Sequence, residues 1–297
     1  MQGSEFQTTR QVTSERRIPT WAAGVLALLA RDRPTVVTRA DLQVYLQEAE
    51  SNRELDPTVR ELQRLGWIVP LHLKSVWAYV PAGESQTIDP YIDLRGWRAR
   101  EVDATFALAG EAAAWHLGYI DRAHQGSVAV WIPEESRLPH GLRAYLKTIT
   151  IGWSANEASL LGPTTKFLHS RKLDAVNWSS GLPAFGPEAL VVQLAARPNS
   201  FRVWADLVPH LTQLAADCDE GRIATLLQRR SSSAWQRAAY MLSCGGRHDD
   251  GVELLGRSPH QKMAKVTLGR GTKSKWIPLF QITDQLIAPL QESTGKA

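Results

Sequence analysis

The sequence predicts an α+β fold, with a small helical unit closed by a hairpin and then a larger mixed α/β domain. Three observations carry that prediction. Residues 18–80 hold three short amphipathic segments followed by two β-like runs. The composition shifts after Pro81-Ala82-Gly83-Glu84-Ser85-Gln86. Beyond that point strand-like runs come first and a train of helical segments follows, which favours α+β over alternating βα units. Hydrophobic residues make up 43% and charged residues 22% of the 297, so the chain is not disordered and can build a substantial core.

The first segment has Pro19 near its start and Trp21, Val25, Leu28 and Leu29 at i, i+4, i+7 and i+8, one helical face. It stops at Pro34, which cannot continue a helix. The second starts at Thr38, an N-cap residue with Asp41 three positions on, and buries Leu42, Tyr45, Leu46 and Ala49. The third is expected to start with Asp56 as cap and Pro57 at the first helical position, and to end at Gly66. Its spacing turns Val59, Leu62 and Leu65 inward and leaves Thr58, Arg60, Glu61, Gln63 and Arg64 outside. Trp67-Ile68-Val69 and Val76–Val80 then read as strands joined by the loop Pro70–Ser75.

Helix, helix, helix, hairpin is the order of a winged helix-turn-helix, whose last helix enters the major groove. Arg60 and Arg64 lie one turn apart on the exposed face, suited to guanine or phosphate, and Gln63 can read adenine. Arg39 and Thr58 complete the candidate DNA-facing set on the helices, and His72 and Lys74 at the hairpin tip suit backbone phosphates. The same residues also fit a winged helix used for protein contacts, with Arg60 paired to Glu61 or Glu54. The predicted boundaries are a tail at 1–17, the winged unit at 18–83, a connector at 84–98 and the mixed domain at 99–297. Met1–Phe6 read as a cloning scar, because Gly-Ser followed by Glu-Phe is what two common restriction sites encode.

In the larger domain, helices are expected at Ala109–Leu117, Pro187–Ala196, Val203–Ala216 (with Pro209 interrupting), Arg222–Arg229 and Ala234–Cys244. Strands are expected at Ser127–Ile132, Thr148–Ile151, Val266–Leu268 and Trp276–Ile282. His248-Asp249-Asp250-Gly251 reads as a turn. The eleven Trp read as core and hinge packing rather than a stacking platform. Cys218 and Cys244 cannot build a disulfide framework and read as buried thiols. The longest apolar run, Trp21–Ala30, is half of what a bilayer needs, no signal peptide is visible, and a cytoplasmic protein is the default. No catalytic set, metal spacing or cofactor motif stands out: there is no H-x-x-x-H or G-x-S-x-G, and Gly269–Lys273 falls short of a phosphate loop. Asp217, Asp219 and Glu220 suit a cation, but also suit the start of a helix.

The net charge of +4 is unevenly spread. Residues 1–85 balance to zero, 86–219 carry −2, and 220–297 carry +6. From Arg257 to Lys275 there are Arg257, Lys262, Lys265, Arg270, Lys273 and Lys275, with no acid. Such a block fits a polyanion partner, and equally a solvated surface. Lys273 and Lys275 share a face if the strand extends that far.

Two stretches, Val36–Leu42 and Thr58–Trp67, resemble the winged-helix half of AbiEi-type antitoxins of bacterial type IV toxin–antitoxin systems. Phe106–Gly118 and Val128–Pro133 are similar to the start of their C-terminal domain, and Ser233–Leu242 to its late helix. The resemblance covers most of residues 18–285. It implies a repressor that binds inverted repeats in its own promoter, as a homodimer or as cooperating monomers. It implies a nucleotidyltransferase-like toxin as functional partner, countered with or without direct contact, and no membrane. It also implies a basic C-terminal surface that cooperates in repression, made here of Lys262, Lys265, Arg270, Lys273 and Lys275. Two other readings stand beside it: a module that neutralises the toxin by direct binding, and an enzyme that modifies the toxin.

Overall fold

The structure, a computed structural model, describes residues 16, 18–84, 87–122, 126–174 and 178–294. The scar at Met1–Phe6 and nearly all of the expected tail lie outside these residues. The chain forms two compact units. One spans residues up to Ala104 and takes in Pro139–Leu142, and the other holds Thr105–Leu138 and Arg143 onward.

In the first unit the order is α1 (Ala23–Asp32), β1 (Val36–Thr38), α2 (Arg39–Glu48), α3 (Leu55–Arg64), β2 (Ile68–Pro70), β3 (Val76–Tyr79) and α4 (Ile92–Arg100). The strands form one antiparallel sheet in the order β1-β3-β2, with Val37 opposite Trp77 and Val69 opposite Ala78. Leu26, Leu29, Val37, Leu42, Leu62, Ile68 and Trp77 make its core. Strand β1 is absent from the sequence reading: three residues are too few to show a period of two. The segment expected as a connector instead contains α4, whose Leu94 and Trp97 are buried. Gly96 on α4 admits Leu71, since a Cβ there would lie 2.7 Å from the Leu71 Cδ1. Pro139–Leu142 reaches the hairpin loop: Leu142 is fully buried, and a Cβ on Gly141 would overlap the His72 carbonyl.

The second unit begins with β4 (Ala107–Leu108), α5 (Gly110–His116), β5 (Val128–Trp131) and β6 (Leu146–Ile149). These strands form a sheet ordered β4-β5-β6, antiparallel between β4 and β5 and parallel between β5 and β6. Short helices α6 (Ala158–Leu161) and α7 (Thr165–Ser170) lead to α8 (Pro187–Ala196). Then come α9 (Trp204–Leu207), α10 (Leu211–Asp217), α11 (Glu220–Leu227), α12 (Ser232–Cys244) and α13 (His248–Gly256). The last sheet holds β7 (Val266–Leu268), β8 (Lys275–Ile277) and β9 (Ile282–Asp284) in the order β7-β9-β8, and α14 (Ile287–Thr294) follows.

Pro187 at the first position starts α8 as expected, and nine of its ten residues are buried. Such a helix is a core element rather than a surface one. The residues read as a turn, His248–Gly251, are the first turn of α13. Asp249 and Asp250 there face the positive end of the helix dipole. The single late strand expected at Trp276–Ile282 is two, because Pro278 ends β8 and the chain turns before β9. Cys218 and Cys244 are free, and burial pushes the Cys244 thiol up to about 12. Among the described residues no helix is long and apolar enough to cross a membrane.

His116 ends α5 between the rings of Trp115 and Trp178, at centroid distances of 4.7 and 6.2 Å. Burial lowers its pKa from 6.5 to about 4. The unfolded chain therefore takes up a proton that the folded chain refuses over that interval, and stability present above pH 6.5 is lost as pH falls toward 4. Urea unfolding of His116→Gln at several pH values across this window is expected to give a shallower acid loss than the parent chain. An equal loss in both would remove His116 as its source.

Candidate nucleic-acid interface

Helix α3 positions most of the first candidate set. It starts two residues earlier than expected: Glu54 is the N-cap and Leu55 the first helical residue. Asp56 is free of any capping role and forms an ion pair with Arg39 of α2. The Arg39 guanidinium holds the Asp56 carboxyl below its ordinary range, with a further contribution from Arg60. The end of α3 is as expected. Gly66 lies at φ +76°, its N–H donates to the Gln63 carbonyl, and the Trp67 N–H donates to that of Leu62. This is the Schellman arrangement, which closes the last turn.

Helix α2 is fixed by a capping box. The Thr38 hydroxyl accepts from the Asp41 N–H, and the Asp41 carboxylate accepts from the Thr38 N–H at 2.8 Å. The Arg39 N–H donates to the Ser75 carbonyl, so the start of α2 meets the hairpin loop. Arg39, Arg60 and the Lys74-Ser75 end of that loop therefore gather where the first turns of α2 and α3 meet. Arg60 and Lys74 are exposed and make no hydrogen bond or ion pair among the described residues. Arg64, one turn on, is exposed and paired with Glu61 at 2.8 Å, and Gln63 is half-buried.

Two expected members do not join them. Thr58 is buried, and its hydroxyl donates to the Glu54 carbonyl at 2.7 Å. Polarity favours the outer face for it, but it is packed inward beside Val59. His72 is held by Asp93 of α4, through Nδ1 at 2.8 Å and the backbone N–H at 3.1 Å.

The second set lies in the other unit. Lys262 and Lys265 precede β7, while Arg270 and Lys273 sit in the loop between β7 and β8; all four are exposed. Strand β8 begins only at Lys275, so Lys273 shares no strand face with it. Lys275 stands opposite Asp284 in the register and reaches Glu292 of α14 at 3.7 Å. Sequence reasoning misses Trp276: its side chain is 41% exposed, with the Lys265 ammonium 5.6 Å from its ring centroid. Trp115 is exposed as well, so two of the eleven Trp depart from the core reading.

A fold of this kind is shared with a solved structure. The AbiEi antitoxin C-terminal domain family matches residues 105–244, and the chain belongs to the AbiEi-type antitoxins. The crystal structure of the RV2827C protein from Mycobacterium tuberculosis is similar to it at a TM-score of 0.90 and 48% identity, over 95% of this chain and 97% of that one. No curated protein matches the chain.

Gly66 gives a direct test of how α3 is held. A side chain at its positive φ costs about 1–2 kcal/mol. Gly66→Ala is expected to lower stability by about that amount in urea unfolding. A smaller loss would mean that the turn relaxes without the left-handed residue.

Proposed function

We propose that this antitoxin is a DNA-binding repressor of its own operon and that it counteracts a nucleotidyltransferase-like toxin in the cytoplasm. The observation that carries the DNA reading is the order α1-β1-α2-α3-β2-β3 with its sheet β1-β3-β2. Three helices, with a short strand after the first and a closing hairpin, make a winged helix-turn-helix. In it α3 is the reading helix and the loop between β2 and β3 is the wing. Arg60 and Arg64 are its base or phosphate contacts, Arg39 and Lys74 flank them, and phosphate contacts supply much of the affinity. Inverted repeats in the promoter would be read by two copies, as a dimer or as cooperating monomers. The basic stretch before and after β7 supports a second polyanion-binding surface. The protein acts as a regulator rather than an enzyme.

A second reading, direct neutralisation of the toxin by protein contact, draws on the ion pairs Arg39–Asp56 and Arg64–Glu61. They offset charge that a DNA-facing helix would present. The same pairs would suit a surface that docks on protein.

A mobility-shift titration on the chain's own promoter separates the two readings. Arg60→Ala and Arg64→Ala are each expected to weaken binding by about 1–3 kcal/mol if they contact bases. Both are exposed, so stability should hold. Unchanged affinity in both variants would remove α3 from the interface and favour the protein-docking reading.

The basic surface is tested by salt. Removing one cation that binds a phosphate should reduce the slope of log K against log salt by about 0.9 on duplex DNA. Lys262→Glu, Lys265→Glu, Arg270→Glu and Lys273→Glu combined are expected to weaken nucleic-acid binding at every sequence and flatten that slope. Thermal stability should barely change, because exposed charges contribute little to folding. An unchanged slope would leave this stretch as a solvated surface.

A further inference from the structure

The outward face of the last sheet holds a feature that phosphate binding alone does not use. Trp276 of β8 stands opposite Thr283 of β9, and Thr283 stands opposite Thr267 of β7. Alternation along strands puts these three side chains in one row on one face. On the other face Leu268, Ile282 and Asp284 are fully buried. Thr267 and Trp276 are exposed, so the row looks out to solvent. Lys265, two residues before Thr267, falls on the same face and reaches the indole ring. Met263, two residues earlier again, is 44% exposed.

The charge on this face has one sign. The alternation adds Gln281 and Gln285 from the ends of β9 and no carboxylate. The one acid within the sheet strands, Asp284, points inward and is buried, where it accepts from the N–H groups of Leu286, Ile287 and Ala288 and from the Tyr240 hydroxyl. Glu292 answers Lys275 on that inner side. The outer face therefore presents an indole ring and a threonine row beside Lys265, with Arg270 and Lys273 in the adjoining loop.

A duplex has its base faces stacked on one another and offers an exposed ring nothing but backbone. An unpaired strand offers both phosphates for the cations and open base faces for the indole. Single-strand binders combine these two elements, a basic surface and aromatic platforms on which bases stack. We propose that this face binds unpaired nucleotides of a single-stranded nucleic acid, with Trp276 stacking a base and Lys265, Arg270 and Lys273 taking the adjacent phosphates. The inference rests on the polyanion-binding reading of the same stretch and names the form of polyanion it takes.

The test uses the full chain and fluorescein-labelled probes: a 12-nucleotide oligothymidylate, a 12-nucleotide oligouridylate and a 12-base-pair duplex, followed by anisotropy across a salt series. Stacking of one base predicts that Trp276→Ala weakens single-strand binding by roughly five- to a hundredfold. Duplex affinity and the salt slope should stay unchanged, and Trp276→Phe should retain most of the binding. Trp276→Gln keeps bulk and polarity without a π face and should behave like the alanine variant, which covers the case in which alanine disturbs β8. Thymidylate and uridylate arms tell DNA from RNA as the source of the strand. Equal effects of Trp276→Ala on strand and duplex, or no effect on either, would overturn stacking. If Trp276→Ala is silent while the four-Glu variant abolishes binding, the polyanion reading stands and the stacking inference falls. If both are silent, both fall.

Discussion

The second unit depends on a helix with no exposed face. Helix α8 is surrounded by α5, α11 and α12, and polar groups that it carries inward fasten it to its surroundings. Gln193 answers with its side-chain oxygen, which accepts from the Gly110 N–H at 2.8 Å. Gly110 sits at φ +53°, and a Cβ there would press on Ala129 of β5 at 3.2 Å, so the start of α5, the middle of α8 and β5 are fixed together. At the helix start, Glu188 accepts from the Asp219 N–H at 3.1 Å, and burial raises its pKa above the ordinary carboxylate range. At the far end Arg237 of α12 donates to the Ala195 carbonyl at 3.1 Å and, through its other nitrogen, to the Thr267 carbonyl of β7. The same guanidinium thus links the central helix to the outermost sheet.

The first unit is governed by different terms. Its sheet is three strands of three or four residues, too small to stand without cover. Helices α1, α2, α3 and α4 and the 139–142 segment supply that cover. The charges on its outer face are set against one another: Arg39 with Asp56, Arg64 with Glu61, Arg31 with Asp32. Exposed pairs of this kind add little to stability. They tune how much positive potential the face offers to a partner, and Arg60 and Lys74 are exposed cations that stand outside such pairs.

Where a local rule fixes the chain, the sequence is enough. Thr38 with Asp41 announces α2, Gly66 announces the end of α3, and Pro187 announces α8. The misses come from tertiary demands. Gly251 looks like a turn former, yet it lies inside α13 because a Cβ would lie 2.5 Å from the Ala239 carbonyl oxygen, where α12 and α13 approach. Helix α14 contains Pro289 and is not legible from the sequence, although a proline in the first turn costs no hydrogen bond. Polarity places Thr58 outside, and only packing shows that it faces in. Of the candidate contacts, the exposed arginines and lysines are legible from charge and spacing. Trp276 is not, because no property of a tryptophan in sequence distinguishes an edge strand's outer face from a core.

The brief return of Pro139–Leu142 to the first unit bears on the order in which the chain is made. Domains emerging from a ribosome fold as units, the N-terminal one first. Here the first unit is incomplete when residue 104 appears, because Leu142, 0% exposed, has yet to be synthesised. By then β4, α5 and β5 of the second unit have already been made. The hairpin loop of the first unit is therefore covered only after these elements of the second unit have been made.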